Sequence, residues 1–162
     1  MKPQFYFISF LVLLSCNTLL SQTLLYNCKN YISDTSNTVI LPFSVKGNPF
    51  TQKFKAAIRP RIDYCLIEEL LIKAIHTIYF ETLLSERKKG IEEIMTSYKK
   101  QLIFSTDNRG QLFVWINFMC KTRGDHWRSN IPLVFDGGAC YFNLKLNLTT
   151  KEYFDFSVNS SA

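Results

Sequence analysis

A thiol, an imidazole and two carboxylates lie close together in the stretch "DHWRSNIPLVFDGGAC", residues 125–140. These are the residue types of nucleophilic catalysis. Cys140 could attack a carbonyl carbon, His126 could accept its proton, and Asp136 or Asp125 could orient the ring. The same residues have a simpler use. Asp136, Gly137 and Gly138 stand where a chain must reverse, and glycine supplies the positive φ that tight turns require. A turn is sufficient cause for the motif, and a motif of this kind carries no warrant for chemistry by itself.

The neighbouring segment "KTRGDHWRSN", residues 121–130, offers binding rather than catalysis. It gathers Lys121, Arg123, His126, Trp127 and Arg128, a cationic and aromatic set suited to a carbohydrate, a phosphate or a partner protein. The plainer reading is a solvated connection with Trp127 folded back onto the core. Its Arg-Gly-Asp tripeptide is short enough to arise by chance. Residues 46–61 carry five basic residues and no acid, with Phe50 and Phe54 between them. They could meet anionic lipid or nucleic acid, although an exported chain seldom encounters nucleic acid. With two histidines and no Cys-x-x-Cys pair, neither a zinc site nor any other cofactor is expected. Glu68 with Glu69, and Glu92 with Glu93, are adjacent in sequence and point to different sides of a helix, so neither pair forms a dyad. Asn147 and Asn159 head glycosylation sequons that matter only in a eukaryotic host.

Positioning these residues is the work of the rest of the chain. Its 162 residues allow one domain, and 47% hydrophobic against 20% charged residues excludes general disorder. Fourteen Phe and eight Tyr favour strands and a thick core. Lys2 followed by "FYFISFLVLL" reads as a signal peptide, too short to span a bilayer. Cleavage after Ser21 fits a secreted, periplasmic or cell-surface product. "LLSC" instead fits a lipoprotein signal, with Cys16 lipidated and anchoring the chain. No later segment is a candidate transmembrane span. The net charge of +6 falls by one with Lys2 and favours anionic surfaces only mildly.

After residues 22–62, read as an irregular N-terminal segment, residues 63–162 form the expected helix-plus-sheet domain. Within the first segment, residues 38–45 could be a strand, restricted by Pro42 to an edge or bulge. Asp63 caps a helix that Gly90 ends or kinks, and residues 91–100 add two or three more turns. Ile67, Leu70, Leu71, Ala74, Ile75 and Ile78 form its apolar stripe, Glu69 and Lys73 pair on its wet face, and Phe80 and Leu83 interrupt that face. "DNRG" at 107–110 joins two strands. The second of these is apolar on both faces, with Val114, Ile116 and Phe118 on one side and Phe113, Trp115 and Met119 on the other. "IPLVF" reads as a third strand. "CYFNLKLNL" alternates as a fourth, and a last strand has Phe154, Phe156 and Val158 on its inner face.

This arrangement weakens the catalytic reading. In an up-and-down meander Cys140 starts its strand at the opposite end of the sheet from the 121–130 loop, about 25 Å away for a strand of eight residues. Cys120 and Cys140 then also lie too far apart for a disulfide, which needs Cα atoms within about 7 Å. Cys28 with Cys65 stays open, since export permits disulfides.

The C-terminal third resembles the tail of small, uncharacterised exported proteins of Bacteroidetes-type bacteria. The matching positions are Asp136, Gly137, Gly138, Cys140, Tyr141, Phe142 and Val158-Asn159, with Ser160 where that ending has Gly. The resemblance covers about thirty residues and implies export without implying an activity.

The expected fold is α+β, a long helix packed on a four- to five-stranded antiparallel meander, in an arrangement similar to cystatin-like or NTF2-like folds. The expected function is non-enzymatic binding of a partner protein or ligand at a sheet face or edge loop. Arg123, His126, Trp127, Arg128 and Trp115 are the candidate residues, Trp115 because a second apolar face needs a cover. Two alternatives are a cysteine-dependent enzyme using Cys140 and a pocket protein for a small apolar ligand. The latter requires a closed cavity of roughly 300 Å³ or more under the helix.

Overall fold

The Asp107 turn seeds the sheet. Its Oδ1 accepts the backbone N–H groups of Arg109 and Gln111, both at 2.9 Å, and Gly110 takes φ 77°. The flanking segments, β3 (Lys99–Thr106) and β4 (Leu112–Met119), therefore pair antiparallel along their whole length, from Lys99 opposite Met119 to Thr106 opposite Leu112. A computed structural model describes residues 27–58, 61–81 and 90–159 of the chain. The leader, Cys16, Ser21 and Leu83 lie outside the described residues, as does the side chain of Phe80.

The strand expected at 131–135 does not form. β4 pairs directly with β5 (Tyr141–Asn147), from Met119 opposite Tyr141 to Phe113 opposite Asn147. β6 (Glu152–Val158) follows antiparallel to β5. Without the extra strand, the end of β4 lies beside the start of β5. Cys120 and Cys140 are bonded there with Cα atoms 5.0 Å apart, and the Cys120 N–H donates to the Cys140 carbonyl at 2.9 Å. The expectation that these two cysteines stand at opposite ends of the sheet counted one strand too many. Cys28 and Cys65 form a second disulfide, Cα to Cα 5.2 Å.

The sheet is also mixed rather than antiparallel throughout. β1 (Thr38–Ile40) runs parallel to β3, and the two-residue β2 (Lys55–Ala56) pairs antiparallel with its far end, giving six strands in the order β1-β3-β4-β5-β6 with β2 also on β3. Pro42 acts as expected, because β1 stops two residues before it. The helical part is two separate pieces, α1 (Tyr64–Glu81) and α2 (Ile91–Ser97). One long helix on an antiparallel meander, and the analogy drawn from it, is therefore incorrect: the N-terminal segment supplies strands to the same sheet.

Asp63 does cap α1, its Oδ1 accepting the Leu66 N–H at 3.0 Å. The stripe from Ile67 to Ile78 is buried against one face of the sheet, and Glu69 pairs with Lys73 at 2.8 Å. That face holds Val114, Ile116 and Phe118 of β4 with Phe142, Leu144 and Leu146 of β5. Phe118 stacks on Phe142, ring centroids 4.5 Å apart. Two charged residues are buried on this side. Glu68 of α1 accepts the N–H groups of Lys29 and Tyr31, each at 2.7 Å, tying the Cys28 segment to the helix. Lys100 of β3 donates to the Tyr98 carbonyl at 2.9 Å. Burial pushes its amine down to about 8, against the opposing pull of the Asp34 carboxylate.

The other face carries Ile103, Phe113 and Trp115, packed under Leu41 and Phe50. Phe54 meets Phe113 edge-on at 5.1 Å. The row expected along β6 is split. An extra residue enters between Phe154 and Ser157, where Asp155 takes φ 53°. Phe156 packs toward Phe142 at 6.0 Å, whereas Phe154 turns to the second face and meets Phe113 at 5.9 Å. Among the described residues no helix is long and apolar enough to cross a membrane.

Candidate binding groove

Residues 121–139 leave and re-enter the sheet through one neck. The Cys120–Cys140 disulfide closes it, and the Tyr141 hydroxyl donates to the Lys121 carbonyl at 3.0 Å. The Asp-Gly-Gly element is the corner by which the excursion returns. Gly137 has φ 139°, and a Cβ there would lie 2.5 Å from the Tyr141 ring, so the ring rests on bare backbone. A 3-10 turn, Gly138–Cys140, then delivers the chain to β5. The motif is a turn, as its residues suggest, but it joins a loop to a strand instead of linking two strands.

Trp127, in the 3-10 turn His126–Arg128, folds back onto the second face of the sheet and is 4% exposed. Arg128 lies over its ring at 4.5 Å and Lys99 at 5.6 Å. A sheet-borne amide fixes the backbone beneath: Gln101 donates through Nε2 to the carbonyls of Trp127 and Asn130, and Asn117 donates to Gln101 Oε1 at 3.0 Å. On the returning arm, Asn159 donates to the Val134 carbonyl at 2.9 Å. Asn159 is thus held by a main-chain contact. The other sequon asparagine, Asn147, is buried and accepts the N–H groups of Thr149 and Thr150 in the β5–β6 turn.

Between the two arms lies an open groove of about 540 Å³. Lys121, Arg123 and His126 stand on the outgoing arm, and Pro132, Leu133 and Phe135 on the returning arm. Trp127 and Tyr141 complete the lining. Leu133 and Phe135 are 81% and 75% exposed. Large apolar side chains exposed together beside one groove make it the candidate recognition surface.

Three of the five expected binding residues, Arg123, His126 and Trp127, come together here. Arg128 faces away and clamps the N-terminal segment, donating to the carbonyls of Thr35 and Ser36 at 3.0 Å each. Trp115 takes no part: it is 4% exposed on the second face, its indole N–H donating to Asn143 Oδ1 at 3.0 Å. Leu133 and Phe135 do not stand out in the sequence as binding residues, because "IPLVF" has the composition of a strand, which would bury alternate residues. Pro132, which lacks an N–H for a ladder, is the signal against that assignment.

The sulfur of Cys140 is not a free thiol. Cys140 is bonded to Cys120 and 3% exposed, which corrects the thiol reading. Among the described residues no three His, Cys, Asp or Glu side chains are placed to hold a metal ion. A second groove of about 510 Å³ lies between α1 and the β5–β6 hairpin, beside Leu70, Lys73 and Tyr153, and it opens to solvent rather than enclosing a ligand. No protein-family model, no curated protein and no solved structure matches the chain.

Proposed function

We propose that this is an exported, non-enzymatic binding protein that takes a partner or ligand in the groove between residues 121–130 and 131–136. The exposure of Leu133 and Phe135 beside Arg123 and Lys121 carries this reading. Side chains held in water on a stapled frame forgo the stabilisation of burial, and a frame already ordered before binding saves the entropy of ordering it afterwards. Apolar side chains next to cations favour a ligand that combines apolar groups with a carboxylate. Export is supported by the leader-like N-terminus, the resemblance of the tail and two disulfides, which persist in oxidising compartments.

The test is a titration with the peptide N-acetyl-Leu-Asp-Phe amide, followed through backbone amide chemical shifts. Shifts should cluster on residues 121–136. Arg123→Ser should weaken binding about tenfold, the value of one charge-assisted hydrogen bond of about 1.5 kcal/mol. Shifts confined to the α1–β6 groove around Leu70 and Lys73, or none at all, would overturn the assignment.

A further inference from the structure

We infer that the partner this groove takes is a second copy of the same chain, docked about a two-fold axis. The inference rests on reading the groove as the recognition surface and assigns its occupant. A two-fold interface uses the same patch on both subunits, so the patch must complement itself in shape and in charge. This one does both. It presents a concavity whose returning wall is formed by Leu133 and Phe135, both largely exposed, with Tyr141 beside them. It also presents both signs of charge. Lys121 and Arg123 stand on the outgoing arm and Asp136, exposed, on the returning one, all three lining the groove.

An anionic bilayer would be met by one sign of charge, and the exposed Asp136 opposes it, whereas a second copy offers the apolar groups and the carboxylate together in its own Leu133, Phe135 and Asp136. A second copy uses the mixture: rotation by half a turn brings the cations of each chain toward the carboxylates of the other. In the same movement the Leu133–Phe135 projection of each chain enters the other's groove, so each site is completed by residues of its partner. Both arms are pinned by the Cys120–Cys140 staple, Gln101 and Asn159, so little conformational freedom is lost on docking.

Sedimentation velocity on the full-length protein, with both disulfides formed, tests this over about 1–100 µM, a range suited to a standard or weaker protein interface. A concentration-dependent dimer is expected. Leu133→Ser with Phe135→Ser should weaken it at least tenfold while leaving the melting temperature within about 2 °C, because both side chains are exposed. Arg123→Asp and Asp136→Arg should each weaken self-association, and mixing the two variants should restore a heterodimer. A wild-type monomer throughout the range overturns the inference, as does a dimer indifferent to the Leu133/Phe135 change or a mixture that fails to recover. A monomer that still binds the tripeptide overturns the second-copy assignment alone, whereas a monomer that binds none overturns the groove reading as well.

Discussion

The two faces of the sheet each carry an apolar cluster and are covered in different ways. Under the helices, the stripe of α1 meets Ile116, Phe118 and Phe142 in a cluster that also takes in Ile94 and Met95 of α2. On the opposite face, Ile103, Phe113 and Trp115 lie under chain without helices: residues around Leu41 and Phe50 over the middle, and the 121–130 arm with Trp127 at one end. A helix satisfies its own backbone hydrogen bonds, so its cover needs only apolar contacts. An irregular cover must find partners for its carbonyls. Here it finds them in side chains of the sheet and of the cover itself: Gln101 for the 127–130 backbone, Lys145 for the Pro49 carbonyl at 3.2 Å, and the loop residue Arg128 for Thr35 and Ser36. The helical face keeps an open groove at its edge, between α1 and the β5–β6 hairpin. The loop-covered face leaves a groove with two largely exposed apolar side chains at its margin.

Two substitutions probe that contrast. Phe118→Ala on the helical face and Trp115→Ala on the loop-covered face should each cost about 3–5 kcal/mol in urea denaturation, since both side chains are fully enclosed. A loss below about 1 kcal/mol for Trp115 would mean that the loops cover without packing.

Next comes the charge hidden on the helical face. The amine of Lys100 titrates at about 8 in the fold, against the ordinary 10.5 of a free lysine. The unfolded chain therefore holds more protons between those limits, and stability rises with pH across the window. Relative to Lys100→Met, the wild type should gain about 3 kcal/mol between pH 8 and 10.5, with no change in the difference below pH 8. A flat difference across the whole range would show that the amine is hydrated in the fold.

The smallest effect concerns the corner of the groove. Gly137→Ala places a side chain at φ 139° and 2.5 Å from the Tyr141 ring, and should cost about 1–3 kcal/mol. An unchanged melting curve would mean that the corner tolerates another backbone path.

Much of the sheet is legible in the sequence because its signals are local. The Asp107–Gly110 turn, the two-sided apolar pattern of β4 and the clean alternation of Phe142, Leu144 and Leu146 all act within ten residues. The cap at Asp63 is of the same kind. What failed depends on partners far along the chain. Nothing within residues 38–40 says that they will run parallel to β3, sixty residues away. The five residues 131–135 have the composition of a strand, and only the direct pairing of β4 with β5 leaves them without a place in the sheet. That single miscount hid the Cys120–Cys140 bond and turned the two most exposed residues of the groove into core. At the site, the outgoing arm was readable from its charges and aromatics. The returning arm was not, because exposure of an apolar residue is a property of the fold and leaves no mark on residue type.

The bulge at Asp155 has a consequence for how the molecule behaves in company. β6 is the last strand of its sheet, and an outermost strand offers its idle main-chain groups to any extended chain that drifts by. Asp155, in a left-handed conformation and gripped by the Lys145 amine at 2.5 Å, breaks the straight run of that strand. A foreign strand laid along it would lose alignment within a few residues. The aromatic border of the sheet is thereby guarded against runaway stacking.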